Sequence, residues 1–560
     1  MHKCLQIPEI LDAVFSNVLD THLGVAEKPP FPGSSTLVNI ALTCQSFKEP
    51  ALNTLWRAIP GLDPVVRCLP HDAVRTIEEP NDAPVGWRSG IKGLRFDRNL
   101  QPKDYARIRE NAARVRVVCR PRFGAARSYA LDKLFLHILY SRQEVIGPIL
   151  PCVQHAMLYA NDFEGHAVYP RLIIGPKLTS IDLIAFEKSK IKVVNGLEII
   201  PDGPWRAIKR VLEEAGSPIQ RFKVDEYRTE DHWKLNTFTP HDLISLLRSF
   251  QSLRVLEALS LNIDSSTLLH FSALPYLQEL SVSLSPETIT YVVEHHNHCD
   301  HFFPSLKKAR LNTPNLEPCA ELFKLPHAFE CLTALEIRGE AGARWDLHSF
   351  FQGIRKNASL STNLTCLKLW IAFFPWNPPL NTQAIDFGTI APLLWFPNLS
   401  SIHIEADCPV HLTNADLARM GAAWPRLEVL NFPERTSRSC PQVTLTGLLP
   451  LLTACPSLRE LTLRVDASED VSSYADLGPI VPHRALTDFC YCRSPIKDPG
   501  CVAAFLALAF SRLETIGDNW LYGLDGDLVG YPEDPVDQKY RLLWGEVEKK
   551  LDQVLLHPNN

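Results

Sequence analysis

Glycine is scarce in this 560-residue chain, at 26 residues, and methionine scarcer still, at 3. The sequence holds no phosphate loop, no Gly-x-Gly-x-x-Gly, no His-Glu-x-x-His and no Gly-x-Ser-x-Gly. The short patterns that mark nucleotide, zinc-protease and serine-hydrolase chemistry are therefore missing, and no cofactor is expected. There is no surplus of positive charge: 57 Lys and Arg stand against 63 Asp and Glu, a net charge of −6. That argues against a nucleic-acid coat or a polybasic membrane binder. The longest strongly apolar stretch, Val502 to Phe510, is about half a membrane span. The 15 cysteines are odd in number and scattered, several inside apolar stretches such as Cys44, Cys366 and Cys455. A secreted disulfide framework needs denser pairing. Glu9 and Asp12 stand where a signal peptide would have its apolar run. The glycosylation-type triplets at Asn357, Asn363 and Asn398 carry no weight without one. These features describe a reduced, soluble, intracellular protein, cytoplasmic and/or nuclear. Proline, in contrast, is plentiful at 44 residues, with 46% hydrophobic and 21% charged residues. Large cores built from many short elements fit that balance.

After about residue 90 a pattern recurs: Leu-x-x-Leu-x-Leu with conservative exchanges. Clear copies start at Leu178, Ile219, Leu277, Leu306, Leu332, Leu364, Leu399, Leu427, Leu458 and Leu486, with weaker ones at Ile91, Val153, Leu253 and Leu513. The bare pattern arises about twenty times by chance in a chain of this length. Six copies, however, carry a proline two residues ahead, at Pro176, Pro275, Pro304, Pro397, Pro425 and Pro456. From 277 onward the starts fall 29, 26, 32, 35, 28, 31, 28 and 27 residues apart. Helix signals fill the gaps: Thr239-Pro240, Thr413 with Asp416 as a capping box, Thr446, and Asp498-Pro499. Each unit reads as helix, proline stop, short strand. This resembles the leucine-rich repeats, which implies parallel strands stacked into a solenoid or horseshoe. The Asn or Cys usual eight residues after the first Leu is replaced by Ser285, Pro314, Glu340, Ala372, Asp407, Arg435 and Asp466. An irregular solenoid without the usual side-chain ladder is expected.

The first seventy residues differ. Pro8 opens a helix with Ile7, Ile10, Leu11, Val14, Phe15 and Val18 on one stripe. A Pro/Gly loop (Lys28 to Gly33) precedes a second helix capped by Ser34 or Ser35, and a third runs from about Ser46 to Leu55-Trp56-Arg57. The order Ile-Pro-Glu-Ile-Leu-x-x-Val-Phe, Leu-x-x-Ile-Ala-Leu-Thr-Cys-x-x-Phe, Leu-Trp-Arg resembles an F-box, and its continuation to Pro70 is similar to fungal F-box proteins. The loop between the first two helices is longer than usual for that module. The resemblance implies binding of the ligase adaptor subunit of an SCF ubiquitin ligase, and through it a cullin. Ile7, Pro8, Ile10, Leu11, Val14, Phe15, Leu42, Phe47, Leu55 and Trp56 are the expected adaptor-binding residues. Three helices this short cannot bury so many apolar side chains among themselves.

The expected architecture is thus α/β: a short three-helix F-box (1–58), a connector into the solenoid (59–120), a leucine-rich-repeat-like solenoid (121–525) and a C-terminal capping helix (526–560) starting near Asp534-Pro535. Its function would be to bring a target protein, of unknown identity, to the ligase, without catalysis, nucleic acid or membrane. Alternation along each strand places Lys308, Arg310, Arg338, Lys368 and Trp370 together on the concave face, partly neutralised by Glu336. A basic patch beside an aromatic suits an acidic or phosphorylated segment. Four His and Cys299 between His295 and His301 have the atoms to ligate zinc but not the paired spacing of a finger, and read as a polar helix end. Cys490 and Cys492 fall on one face of a strand. The alternative is an α/β enzyme with a helical N-terminal cap.

Overall fold

The computed structural model describes residues 7–19, 34–77, 93–119, 130–131, 133–159, 167–184, 192–194, 197–199, 203–225, 241–295, 302–325, 327–339, 346–371, 384–405, 408–434, 440–469, 480–517 and 535–556. The chain divides into two compact units, Met1–Thr229 with Phe238–Ala258, and Glu230–Thr237 with Leu259–Asn560.

The first unit opens with three helices, α1 (Pro8–Leu19), α2 (Ser34–Thr43) and α3 (Gln45–Arg57). Their apolar spacing converges on one small core of Leu11, Phe15, Leu37 and Ala51, with Val18, Ile40, Ala41, Phe47 and Leu55 packed against it. Phe15 and Phe47 meet edge-to-face at 5.9 Å, the arrangement that the ring quadrupole favours. Helix α3 runs straight into strand β1 (Ala58–Ile59). Parallel strands β2 (Val117–Val118), β3 (His155–Tyr159), β4 (Ser180–Ile184), β5 (Arg221–Asp225) and β6 (Val255–Asn262, of which Val255–Ala258 belong to this unit) follow. They pair in chain order: β1 with β2, β2 with β3, and on to β6. Arg114, just before β2, reaches back to Glu49 (2.9 Å) and Asn53 (3.0 Å) on α3 and ties the helices to this sheet.

The second unit repeats the plan through β7 (Glu279–Ser283), β8 (Lys308–Thr313), β9 (Ala334–Gly339), β10 (Cys366–Ile371), β11 (Ser401–Glu405), β12 (Val429–Phe432), β13 (Glu460–Leu463), β14 (Asp488–Cys490) and β15 (Thr515–Gly517). All are parallel and again paired in chain order. A doubly wound sheet would reverse its strand order at a switch point; neither unit does. Each of the ten clear sequence copies forms a strand that begins two residues after its first Leu or Ile. The middle apolar position of each motif lies in one row: Leu280, Ala309, Leu335, Leu367, Ile402, Leu430, Leu461 and Phe489 are register partners, and all are buried. The copy at Ile91 starts outside the described residues.

Helices cross between the strands where the capping signals place them. Thr413 and Asp416 form a capping box at the start of Asn414–Ala423, and Asp498 accepts from the Gly500 and Cys501 amides at the start of Pro499–Ala509. The long helix Pro535–Leu556 closes the unit, burying Trp544, Val547 and Leu551. The missing Asn/Cys ladder has a substitute. In five repeats the residue after the first Leu carries a hydroxyl that donates to a backbone carbonyl of the preceding repeat. The pairs are Thr179 to Gln154 (3.2 Å), Thr333 to Lys307 (3.1 Å), Thr365 to Thr333 (3.1 Å), Ser400 to Thr365 (3.2 Å) and Thr487 to Arg459 (3.3 Å). Asn363 and Asn398, one residue before the Leu, donate side-chain N–H groups to Glu330 and Thr362 carbonyls at 2.7 and 2.8 Å. Polar side chains thus bridge repeats at the strand's start rather than beyond its end.

Neighbouring helices approach closely where both are small. A Cβ on Gly353 would stand 2.9 Å from both the Cβ and the carbonyl oxygen of Ala320. Replacing Gly353 with Ala should therefore cost about 1–3 kcal/mol through overpacking. Gly545, in the closing helix with nothing within 4 Å of its would-be Cβ, should tolerate Ala or gain about 0.5–1 kcal/mol. Thermal unfolding of both variants checks this, with Gly353→Ala melting below and Gly545→Ala at or above the parent.

Candidate functional site

Two surfaces concentrate side chains that the fold itself does not use. One lies on the three N-terminal helices. Leu11 and Phe15, expected at a partner interface, are 3% and 4% exposed and form the core that holds the helices together. Phe47, Leu55 and Trp56 are half-buried. Ile7, Ile10 and Val14 follow α1 at helical spacing and face outward with Leu42. Val38, one turn before Leu42 on α2, is exposed with them and was missed in the sequence; its i, i+4 spacing from Leu42 was the available signal. Pro8 is the first residue of α1.

The other surface is the outward face of strands β8 to β11 in the second unit. Alternation sends Ala309, Leu311, Leu335, Ile337, Leu367 and Leu369 into the core and the residues between them outward. The register then makes Arg310, Glu336, Lys368 and His403 successive cross-strand partners, and Arg338, Trp370 and Glu405 likewise. Glu336 is the pivot. One carboxylate oxygen accepts from Arg310 Nε at 3.0 Å and the other from Arg338 Nε at 2.8 Å. Its side chain is 16% exposed, against 41% for Arg310 and 35% for Arg338. The carboxylate thus lies below two guanidinium groups that stand out into solvent. Their terminal nitrogens find no partner among the described residues. Burial works to raise the Glu336 carboxyl, but the Arg338 and Arg310 charges and hydrogen bonds outweigh it and hold it below the usual value. Glu336 therefore stays ionised and keeps both arginines oriented.

Trp370 completes the patch. Its ring packs on His403 with centroids 4.0 Å apart, and its buried Nε1–H lacks a hydrogen-bond partner among the described residues. Lys308 is paired with Glu279 at 3.0 Å and so contributes less net charge than the sequence implied. The five residues expected to read a target thus fall on one face, with Lys308 neutralised. His403 under the tryptophan was missed; the alternation Ile402-His403-Ile404 marked it as facing this surface.

The nearest approach to a catalytic set is His155 with Ser180 and Asp182 in the first unit. His155 Nδ1 lies 2.8 Å from Ser180 Oγ, and Nε2 lies 3.9 Å from Asp182. The second distance is too long for the hydrogen bond that orients a base. Burial first, and Arg221 with it, lower the imidazole's pKa against the opposing pull of Asp182. A cavity of about 450 Å³ lined by His137, Tyr140, Arg171 and Arg210 contains none of these three. Among the described residues no cluster of three or more His, Cys, Asp or Glu has metal-site geometry, and no helix is long and apolar enough to cross a membrane. Within the histidine-rich segment, His295 bonds the Tyr291 carbonyl through Nδ1 at 2.8 Å; 296–301 lie outside the described residues.

Parallel strands laid down in chain order, one per helix-strand unit and carrying Leu-x-x-Leu-x-Leu, define a leucine-rich-repeat scaffold. No family model matches the chain, and no curated protein sequence matches it. Among solved structures it is similar to an internalin from Listeria monocytogenes, at 13% identity over 63% of this chain and 82% of that one, with a TM-score of 0.32. It is also similar to the Toll–Spätzle complex of Drosophila, at 12% identity over 72% of this chain and 55% of that one, with a TM-score of 0.29. Likenesses this distant add nothing to the assignment, which rests on strand order and register.

If Glu336 holds the arginine pair, its contribution has a defined pH window. A carboxyl whose folded pKa is depressed stabilises above its unfolded value, near 4.3, and the contribution is lost as pH falls through the folded value. Glu336→Gln should therefore be less stable than the parent at neutral pH, with the difference closing below about pH 4. Urea unfolding of both proteins between neutral and acid pH measures it.

Proposed function

We propose that this chain is the target-recruiting subunit of an SCF-type cullin ubiquitin ligase, with α1–α3 taking the ligase adaptor subunit and the strand face around Trp370 taking the target. The observation that carries the first half is the distribution of exposed apolar side chains. Of the twelve large hydrophobics exposed among the described residues, five lie on α1 and α2 or just before α1: Ile7, Ile10, Val14, Val38 and Leu42. Leu42 is 80% exposed. Apolar stripes on two short helices, beside a core already filled by Leu11, Phe15 and Leu37, fit a surface that a partner covers. The same helices carry the F-box-like order Ile-Pro-Glu-Ile-Leu to Leu-Trp-Arg. Such a subunit performs no bond chemistry. It contributes proximity and orientation, bringing a target lysine to a ubiquitin held elsewhere.

The target half rests on the Glu336-centred arginine pair, Lys368 and Trp370. Two oriented guanidinium groups and an ammonium beside an indole suit an acidic or phosphorylated segment, with charge-assisted hydrogen bonds setting its position and the ring giving it a flat seat.

Both halves can be tested on the full chain. Ile10→Asp with Leu42→Asp changes only exposed positions, so the fold should hold while adaptor co-purification falls by roughly 30-fold or more, the effect of a hot-spot loss of about 2 kcal/mol. Leu11→Ala should instead destabilise the helices by about 2–5 kcal/mol. Unchanged adaptor binding by a folded Ile10→Asp/Leu42→Asp protein would sink the first half. For the second, Arg310→Glu with Lys368→Glu should leave adaptor binding intact and reduce recovery of ubiquitinated targets from extract, most at low salt. Equal recovery would remove this face from the proposal.

A further inference from the structure

Strand β14 ends at Cys490, and the chain then leaves the sheet through a left-handed turn. Cys492 and Arg493 have φ of +43° and +53°, a region that side chains other than glycine seldom adopt and hold only when the surroundings enforce it. The surroundings here are specific. The Val465 amide donates to Ser494 Oγ at 2.7 Å, and the indole Nε1 of Trp544, from the closing helix, donates to the Ser494 carbonyl at 2.9 Å. The Tyr491 ring stacks on Trp544 with centroids 4.2 Å apart, and its hydroxyl reaches Glu548 at 3.4 Å.

The turn has a chemical result. Side chains two residues apart on an extended strand share a face but stand well apart. The left-handed residue at Cys492 instead folds its side chain back, so that the two sulfurs lie 3.6 Å from each other. Closing a disulfide from there takes a movement of about 1.5 Å, the difference from a bond length near 2.05 Å. The two thiols also differ in access. Cys490 is half-buried and reaches solvent, whereas Cys492 is buried. That is the arrangement of an attacking cysteine with a resolving cysteine behind it.

We propose that Cys490 and Cys492 form a dithiol modification site, which a low-molecular-weight disulfide such as oxidised glutathione converts to an intramolecular disulfide. The exchange balances within its named reactants. The Cys490 thiolate attacks one glutathione sulfur; the glutathione S–S bond breaks, a mixed disulfide forms at Cys490, and the first glutathione thiolate leaves. The Cys492 thiolate then attacks the Cys490 sulfur, forming the protein S–S bond and releasing the second glutathione. The two protons lost by the protein thiols end on the two glutathione molecules, and the protein's two-electron oxidation equals the reduction of one glutathione disulfide. A ring this small strains the disulfide and keeps it readily reversible, unlike a structural bridge. Tyr491 between the two cysteines and Ser494 just after them both contact Trp544, so oxidation acts on the turn that seats the closing helix. None of this depends on the ligase assignment.

The test uses the full-length protein equilibrated in glutathione buffers of rising oxidised fraction, then quenched with acid, unfolded in denaturant with an alkylating reagent and digested with trypsin. Cleavage after Arg484 and Arg493 releases both cysteines in one peptide, Ala485–Arg493. The expected product is this peptide lighter by two hydrogens and carrying neither alkyl group, restored to the doubly alkylated form by reduced glutathione. In Cys492→Ser, the mixed disulfide with glutathione should accumulate on Cys490; in Cys490→Ser, Cys492 should remain alkylatable and free of glutathione. The proposal is overturned if the parent peptide stays doubly alkylated while other cysteines of the chain acquire glutathione. It is equally overturned if the parent stops at the mixed disulfide. Circular dichroism of both serine variants verifies that they are folded before either is scored.

Discussion

A strand of three to six residues cannot bury its own leucines; only the strand beside it, in the same register, can. This dependence of each repeat on its neighbours is the constraint from which the rest follows. Leu367 is buried because Leu335 and Ile402 flank it, and each of those is buried for the same reason. The spacing of helices, the close contact of Gly353 with Ala320, and the hydroxyl bridges from Thr333, Thr365 and Ser400 all serve to keep one strand level with the next. The outward face inherits that alignment. Arg310 meets Glu336 because Ala309 and Leu335 are already partners in the core beneath them.

The repeats were legible because their signals are local and periodic. The Leu-x-x-Leu-x-Leu spacing, the prolines ahead of it and the Thr413–Asp416 box all act within one unit, and the strands start where that spacing places them. What bridges units was harder to see. The absent Asn/Cys ladder was read as a loss, yet hydroxyls at the residue after the first Leu take over part of its work; Thr and Ser are too common for their position to stand out. The shared carboxylate of Glu336 was visible only as a neutralising charge. That it sits below its two arginines and holds both by Nε depends on relative burial, which sequence does not give. Trp544 was missed for a similar reason. In the last helix the Trp544 indole, buried with Val547 and Leu551, carries the contacts to Tyr491 and Ser494.

On the N-terminal helices the sequence reading grouped the inward Leu11 and Phe15 with the outward Ile10 and Val14, and left out Val38. Leu11 and Phe15 turn inward, and Ile10 and Val14, one position earlier on the same helix, turn outward. A helix with an apolar stripe wider than its own core can use leaves a remainder exposed, and here the remainder is Ile7, Ile10 and Val14. The core residues therefore act through the stability of the helices, whereas the outward ones can change without disturbing that core. The strand face around Glu336 in the second unit follows the same economy: its core-facing residues fix the register, and the residues between them stay outside the core.

The claim that neighbouring repeats stabilise one another is tested most directly by native-state hydrogen exchange on the full chain carrying Leu430→Ala. Leu430 is fully buried in β12, between Ile402 of β11 and Leu461 of β13. A loss of about 2–5 kcal/mol at this position should accelerate amide exchange in all three strands together, by roughly 30-fold or more. Faster exchange confined to Val429–Phe432, with β11 and β13 as protected as before, would contradict the account.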